Sequence, residues 1–133
     1  MTDTKGKNNL TLLMNIWDAF NRNDLEAVNK MVSEDIVYRV SGRGPVSGRY
    51  EGRLAFMKVL EKVKELSGGT ITVRPIVTLA ENDYVFVLAR AMGRRADKVL
   101  DIEHCYLYRF SNGQLVEGRT MPVDLYEFDD FWK

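Results

Sequence analysis

The single histidine is the residue whose type and setting best suit chemistry. His104 lies in residues 99–110, whose β-branched and aromatic side chains predict a strand. Alternation along a strand places it on one face with apolar and aromatic side chains. These neighbours are Ile102, Tyr106, Tyr108 and Phe110. Such an imidazole can donate a hydrogen bond to an oxygen that gains charge in a reaction, or it can be a hydrogen-bonded core residue.

Other common chemistries find no support in the sequence. Cys105 is predicted to face away from His104, so a Cys–His nucleophile pair is not expected. With one histidine and no Asp/Glu/Cys cluster, no metal site is predicted. The glycine-rich residues 41–52 lack the Gly-Lys-Ser/Thr ending of a phosphate loop and the spacing of a dinucleotide fingerprint, and we predict no cofactor.

The strand that carries His104 belongs to a predicted hairpin over residues 99–121. Its turn is Ser111-Asn112-Gly113. Asn-Gly between two β-rich runs is the strongest short hairpin signal, because both central residues of a type I′ turn need positive φ.

The remaining pattern predicts helices first and strands afterwards. Apolar spacing predicts helices over residues 10–21, 25–32 and 54–66, the second capped by Asn23 or Asp24. Strands are predicted over 36–40, 70–79 and 84–93, with a short aromatic segment over 124–132. This order predicts an α+β fold, a single domain over residues 1–133 with helices on one face of a curved sheet. Residues 1–8 are expected to be disordered.

Composition limits the partners and the compartment. Nineteen basic residues balance 19 acidic ones, and no patch of one sign stands out, so nucleic acid is not an expected partner. No apolar run approaches membrane-spanning length, and residues 1–9 lack the apolar core of a signal peptide. One cysteine suits a reducing compartment. We therefore expect a cytoplasmic protein with no membrane partner, whose zero net charge favours self-association.

Three stretches resemble the nuclear transport factor 2-like superfamily, and more narrowly its SnoaL-like polyketide cyclase and ketosteroid isomerase branch. Residues 13–25, LMNIWDAFNRNDL, resemble the family's opening helix and the link after it. Residues 41–52, with Pro45, Ser47-Gly48 and Tyr50-x-Gly52, resemble its loop before the third helix. Residues 108–117, YRFSNGQLVE, resemble its penultimate turn, and 119–132 its closing segment.

The resemblance implies a cone: a curved mixed or antiparallel sheet wrapped around three N-terminal helices, as in NTF2-like and cystatin-like folds. It further implies a small apolar ligand inside the cone and a homodimer through the outer face of the sheet. The expected pocket residues are the large side chains of the inner surfaces. They are Trp17, Phe20, Tyr38, Val40, Phe56, Tyr106, Met121 and Trp132.

The resemblance also implies catalytic residues. In the ketosteroid isomerase register the base position falls on Arg39, which cannot accept a proton, so steroid-type isomerisation is disfavoured. Polyketide cyclases place an acid near the end of the last strand and a histidine in the pocket, which implies Asp124 as the base and His104 as the hydrogen-bond donor. Asp124 can equally cap a final turn.

Three functions remain open from the sequence. The first is proton transfer next to a carbonyl in a small apolar substrate, of the cyclase or isomerase type. The second is non-catalytic binding of a hydrophobic small molecule. The third is a dimerisation or partner-binding module with a filled core. The fold hosts all three kinds of protein, so the fold alone does not choose among them.

Overall fold

The computed structural model describes residues 3–133, and this part of the chain forms four helices and six strands in the predicted helix-then-strand order. The helices are α1 (Thr4–Asn21), α2 (Leu25–Lys30), α3 (Arg53–Leu66) and α4 (Leu125–Trp132). The strands are β1 (Val32–Val40), β2 (Gly48–Glu51), β3 (Thr72–Glu81), β4 (Tyr84–Arg95), β5 (Lys98–Ser111) and β6 (Gln114–Pro122). The α+β class is confirmed.

All six strands form one sheet in the order β2-β1-β6-β5-β4-β3. β1 runs parallel to β6, and every other neighbouring pair is antiparallel, so the sheet is mixed. Register shifts between Pro75 and Val77, and between Arg109 and Phe110, mark irregularities in β3 and at the β5–β6 pairing. Irregularities of this kind bend a strand and increase its twist. The sheet therefore curves, and its inner face packs against α1, α3 and α4.

The central hairpin forms as predicted. Asn112 and Gly113 both have positive φ, 51° and 74°, as a type I′ turn requires. On the partner strand Gly118 allows a close approach, since a Cβ there would lie 2.4 Å from the Tyr38 ring. The hairpin thus brings β5 and β6 directly under the aromatic side chains of the inner face.

The prediction that residues 1–8 are disordered is wrong for residues 4–8, which belong to α1. The Asp3 side chain caps this helix by accepting from the Gly6 N–H at 2.8 Å, and it also accepts from the Asn82 N–H at 2.8 Å. Asn9 adds a hydrogen bond to the Asn82 carbonyl. Residues 4–8 lack the apolar spacing that predicts a helix. They are nevertheless helical because Asp3 and Asn9 contact the distant β3–β4 turn. Met1 and Thr2 lie outside the described residues.

Several other boundaries differ from those predicted. The glycine-rich residues 41–52 contain β2, whose residues pair with β1, and β1 begins at Val32 instead of at the predicted residue 36. Asp24, not Asn23, caps α2 through the Ala27 N–H at 3.1 Å. Within residues 3–133 no helix is both long enough and apolar enough to cross a membrane.

Candidate functional site

A cavity of about 120 Å³ lies between the sheet and the helices. Seven of the predicted pocket residues line it, and so does His104. The seven are Trp17, Phe20, Tyr38, Val40, Phe56, Tyr106 and Trp132. Most of the remaining wall is aliphatic, from Ile16, Val59, Val63, Ile71 and Ala91 among others. Core and pocket wall are one surface here, and the interior is not completely filled.

Met121 is the one predicted pocket residue that does not line the cavity. The β5–β6 register pairs Met121 with Cys105 and Thr120 with Tyr106. Paired residues share a face, so Met121 lies on the outer face of the sheet and Thr120 on the inner one. Thr120 lines the cavity instead. A misplacement by one residue moves a strand side chain from one face to the other.

Asp124, the base implied by the resemblance, does not line the cavity either, whereas His104 does. Asp124 is exposed, and its Oδ1 accepts a hydrogen bond from the Glu127 N–H at 3.1 Å. It is the N-cap of α4. The capping alternative recognised from the sequence is the one that the structure contains.

His104 is buried in the cavity wall between aromatic rings. Its ring stacks on Tyr106, with centroids 5.8 Å apart, and meets the edge of Phe128 at 5.3 Å. Burial lowers the pKa of His104 to about 4, although the nearby backbone groups of Glu103 and Ile102 partly oppose this. Within residues 3–133 its Nδ1 has no hydrogen-bond partner of good geometry. At neutral pH His104 is therefore an uncharged imidazole with an unpaired ring nitrogen.

Three tyrosines supply hydroxyl groups to the same interior. The Trp17 indole donates to the Tyr108 hydroxyl at 3.0 Å, and the Tyr38 hydroxyl pairs with Thr120 Oγ1 at 2.7 Å. Burial raises the pKa of Tyr38, and it raises the pKa values of Tyr106 and Tyr108 well above their usual value. All three therefore remain neutral donors at physiological pH.

The cavity wall carries no formal charge at neutral pH. Of the residues from 3 to 133, no Asp, Glu, Lys or Arg lines the cavity, and no cluster of three or more His, Cys, Asp or Glu is placed to hold a metal. An apolar interior with neutral donors and one neutral imidazole suits an uncharged ligand, because an unpaired buried charge is costly. Such a wall can bind a carbonyl and stabilise charge that develops on it.

Besides the aliphatic residues of the wall, the lining residues that were not among the predicted pocket residues are Tyr108, Thr120 and Phe128. Alternation already placed Tyr108 on the face of His104, so the sequence contained that signal. Thr120 required the register of β6, and Phe128 required knowledge that residues 125–132 form a helix. On this helix Phe128 and Trp132 are four residues apart and share a face.

The outer face of the sheet carries a band of apolar side chains across neighbouring strands. This outer apolar patch comprises Val77, Leu79, Phe86, Leu88, Leu107 and Met121. Val77 and Leu79 are 46% and 64% exposed, and the others are partly exposed. Arg90 borders the patch and pairs with Asp101, Nε to Oδ1 at 2.7 Å, so it belongs to this outer surface and not to the cavity.

Comparison with known proteins shows the family to which the chain belongs. Residues 15–118 match the family described as SnoaL-like domain. Bal32a, from a soil-derived mobile gene cassette, is 27% identical; the match covers 98% of this chain and 100% of that one, with a TM-score of 0.93. No curated protein matches the chain.

Two further solved structures share the fold. A protein of unknown function with a cystatin-like fold, from Xanthomonas campestris, is 24% identical over 92% of this chain and 96% of that one, with a TM-score of 0.87. An NTF2-like protein from Burkholderia xenovorans LB400 is 18% identical over 96% and 98%, with a TM-score of 0.82. The cone predicted from the sequence is confirmed.

Proposed function

The chain belongs to the SnoaL-like domain family. From this membership and its cone-shaped fold, we propose that the chain binds a small, uncharged, apolar molecule about the size of a single ring inside the cone. The observation that carries the proposal is the 120 Å³ cavity with an apolar wall free of formal charge at neutral pH. An engineered apolar cavity of about 150 Å³ binds benzene, which sets the scale of the ligand. A single ring fits this space; a fused four-ring skeleton does not.

Filling the cavity tests this proposal. Ala91 is buried and lines the cavity, and Ala91→Leu places three more carbon atoms in it. We expect the variant to bind cyclohexanone and methylenecyclohexane at least about tenfold more weakly than the wild type, because the added side chain occupies the ligand's space. Isothermal titration calorimetry or ligand-observed NMR measures both affinities.

Ala55→Leu is the matched control. Ala55 lies on α3 and does not line the cavity, so the same change in side chain should leave binding intact. Melting temperatures of both variants show whether either substitution disturbs the fold. If the wild type binds neither ring compound, or if Ala91→Leu binds as tightly as Ala55→Leu, the cavity is not the binding site.

A second candidate function is proton transfer next to the carbonyl of such a ligand. The position of His104 in the cavity wall favours it, because an imidazole that is uncharged at neutral pH can act as a base toward a bound ligand. His104 is then the base, in place of Asp124. The neutral hydroxyl groups of the wall, above all that of Tyr106, are available to an oxygen on which charge develops.

We also propose that the chain forms a homodimer through the outer apolar patch. An apolar surface bordered by ion pairs is typical of a protein interface. Leu107 lies between Phe86 and Arg119 in the sheet, and Leu107→Arg places a charge within the patch. We expect this variant to be monomeric in analytical ultracentrifugation at concentrations where the wild type is dimeric.

The control for the dimer is Leu54→Arg. Leu54 is 72% exposed on α3, away from the sheet's outer face, so this variant should keep the oligomeric state of the wild type. A monomeric wild type would contradict the proposed dimer. The cytoplasmic location expected from the single cysteine stays a prediction, as does the absence of nucleic acid and membrane partners.

A further inference from the structure

Two buried polar side-chain atoms lack a hydrogen-bond partner among residues 3–133: His104 Nδ1 and Trp132 Nε1. Both side chains are 2% exposed, and both line the cavity. An unpaired buried donor or acceptor costs about 1–3 kcal/mol, and buried polar groups in proteins are nearly always paired. Because both residues belong to the cavity wall, a molecule bound in the cavity is a candidate partner for these two atoms.

The two atoms belong to neighbouring parts of the wall. The Phe128 ring contacts His104 edge-on, with centroids 5.3 Å apart, and lies 6.4 Å from the Trp132 ring. Phe128 thus connects the β5 side of the cavity to the Trp132 side, where α4 packs. The two residues with unpaired polar atoms therefore lie in one region of the cavity wall.

The indole of Trp17, the other tryptophan of the chain, already has a hydrogen-bond partner. Trp17 Nε1 donates to Tyr108, and Tyr38 pairs with Thr120, so these donors are satisfied inside the protein. A ligand oxygen gains little from groups that are already paired, and it gains more from a donor that has no partner. The indole of Trp132 is therefore the better partner for a ligand oxygen than the indole of Trp17.

We propose that Trp132 determines specificity at this site by donating its indole Nε1–H to the carbonyl oxygen of an uncharged ring compound. An indole N–H can only donate, so it selects an acceptor on the ligand. Carboxylates are disfavoured, because no Lys or Arg of residues 3–133 lines the cavity to pair with an anion. The inference rests on the proposed binding function and adds the functional group that the ligand must carry.

Contacts at both ends of α4 hold Trp132 in place. Asp124 caps the start of the helix, and Lys98 Nζ donates to the Asp130 carbonyl at 2.7 Å near its end. Arg95 Nη1 donates to the Lys133 carbonyl at 2.6 Å. Cations at the C-terminal end of a helix also interact favourably with its dipole. A donor fixed in this way needs little ordering when the ligand binds, which favours affinity.

A matched pair of ligands tests the inference. Cyclohexanone and methylenecyclohexane have the same ring and differ in C=O against C=CH₂. Once each affinity is corrected for the free energy of transferring that ligand from water, we expect the wild type to prefer cyclohexanone to methylenecyclohexane. Trp132→Phe should reduce the ratio of the two affinities by roughly five- to tenfold. The ratio cancels the loss of ring volume, which affects both ligands alike.

A second measurement uses the unmodified protein. The chain has two tryptophans, so its ¹H–¹⁵N spectrum contains two indole signals, assigned with Trp132→Phe. Cyclohexanone should shift the Trp132 indole proton downfield, as a new hydrogen bond does, while methylenecyclohexane should not. The Trp17 signal is the internal control, because its N–H is already bonded to Tyr108.

The outcomes separate the two proposals. If both compounds bind but the Trp132 signal responds equally to them, and Trp132→Phe leaves the affinity ratio unchanged, the specificity role is wrong and the binding function stands. If neither compound binds, both proposals are wrong. A downfield shift specific to cyclohexanone, with a reduced ratio in the variant, supports the role of Trp132.

Discussion

Replacing His104 with phenylalanine is expected to abolish protein-catalysed hydrogen exchange at the carbon next to a bound carbonyl. In this reaction the neutral imidazole takes a proton from the carbon, and the C–H electron pair moves into an enolate. Return of a proton from the imidazolium, after its exchange with solvent, restores the ketone. A positioned base contributes about 10²- to 10⁴-fold to such a rate, so a loss of this size is expected. Loss of deuterium from α-deuterated cyclohexanone in water, followed by NMR, measures it.

The comparison that decides the identity of the base is Asp124→Asn. Asparagine caps a helix about as well as aspartate, and Asp124 lies outside the cavity wall, so this variant should exchange at the wild-type rate. If Asp124→Asn loses exchange while His104→Phe keeps it, the assignment of His104 is wrong. A wild type no faster than buffer would leave ligand binding as the function and exclude the proton-transfer candidate for this ketone.

Acidification is expected to destabilise the protein by about 3 kcal/mol through His104 alone. Burial lowers the pKa of His104 from 6.5 to about 4, so between these pH values the unfolded chain binds the proton and the folded one does not. The full stabilisation is therefore present above pH 6.5 and is lost as the pH falls towards 4, by about 3 kcal/mol for this difference in pKa. Denaturant unfolding at several pH values measures the change.

His104→Phe isolates this contribution, because His104 is the only histidine in the chain. The carboxylates titrate in both the wild type and the variant. The difference between their two curves of unfolding free energy against pH therefore measures the contribution of His104. We expect the variant to lose less stability between pH 6.5 and 4. Parallel curves would contradict the burial argument, as would an imidazole NMR titration with a midpoint near 6.5.

The sequence by itself determined the features that depend on local chemistry. Asn112 and Gly113 form the hairpin turn because these two residue types adopt positive φ at low energetic cost. Asp24 caps α2 because its side chain accepts a hydrogen bond from a free backbone N–H of the first helical turn. Strand alternation placed His104 and Tyr106 on one face, and both line the cavity. Local periodicity and turn chemistry act over a few residues, so they can be read without knowledge of the fold.

Only the tertiary structure decided which residues meet. Thr120 instead of Met121 lines the cavity because the register of β6 against β5 includes an irregularity, and that register depends on pairing between distant strands. Residues 4–8 are helical because Asp3 and Asn9 bond to Asn82, a contact across more than 70 residues. Asp124 lies outside the cavity because α4 begins there and uses its carboxylate as a cap. Trp132 reaches the cavity because the same helix folds back across the sheet, and no local pattern encodes that return.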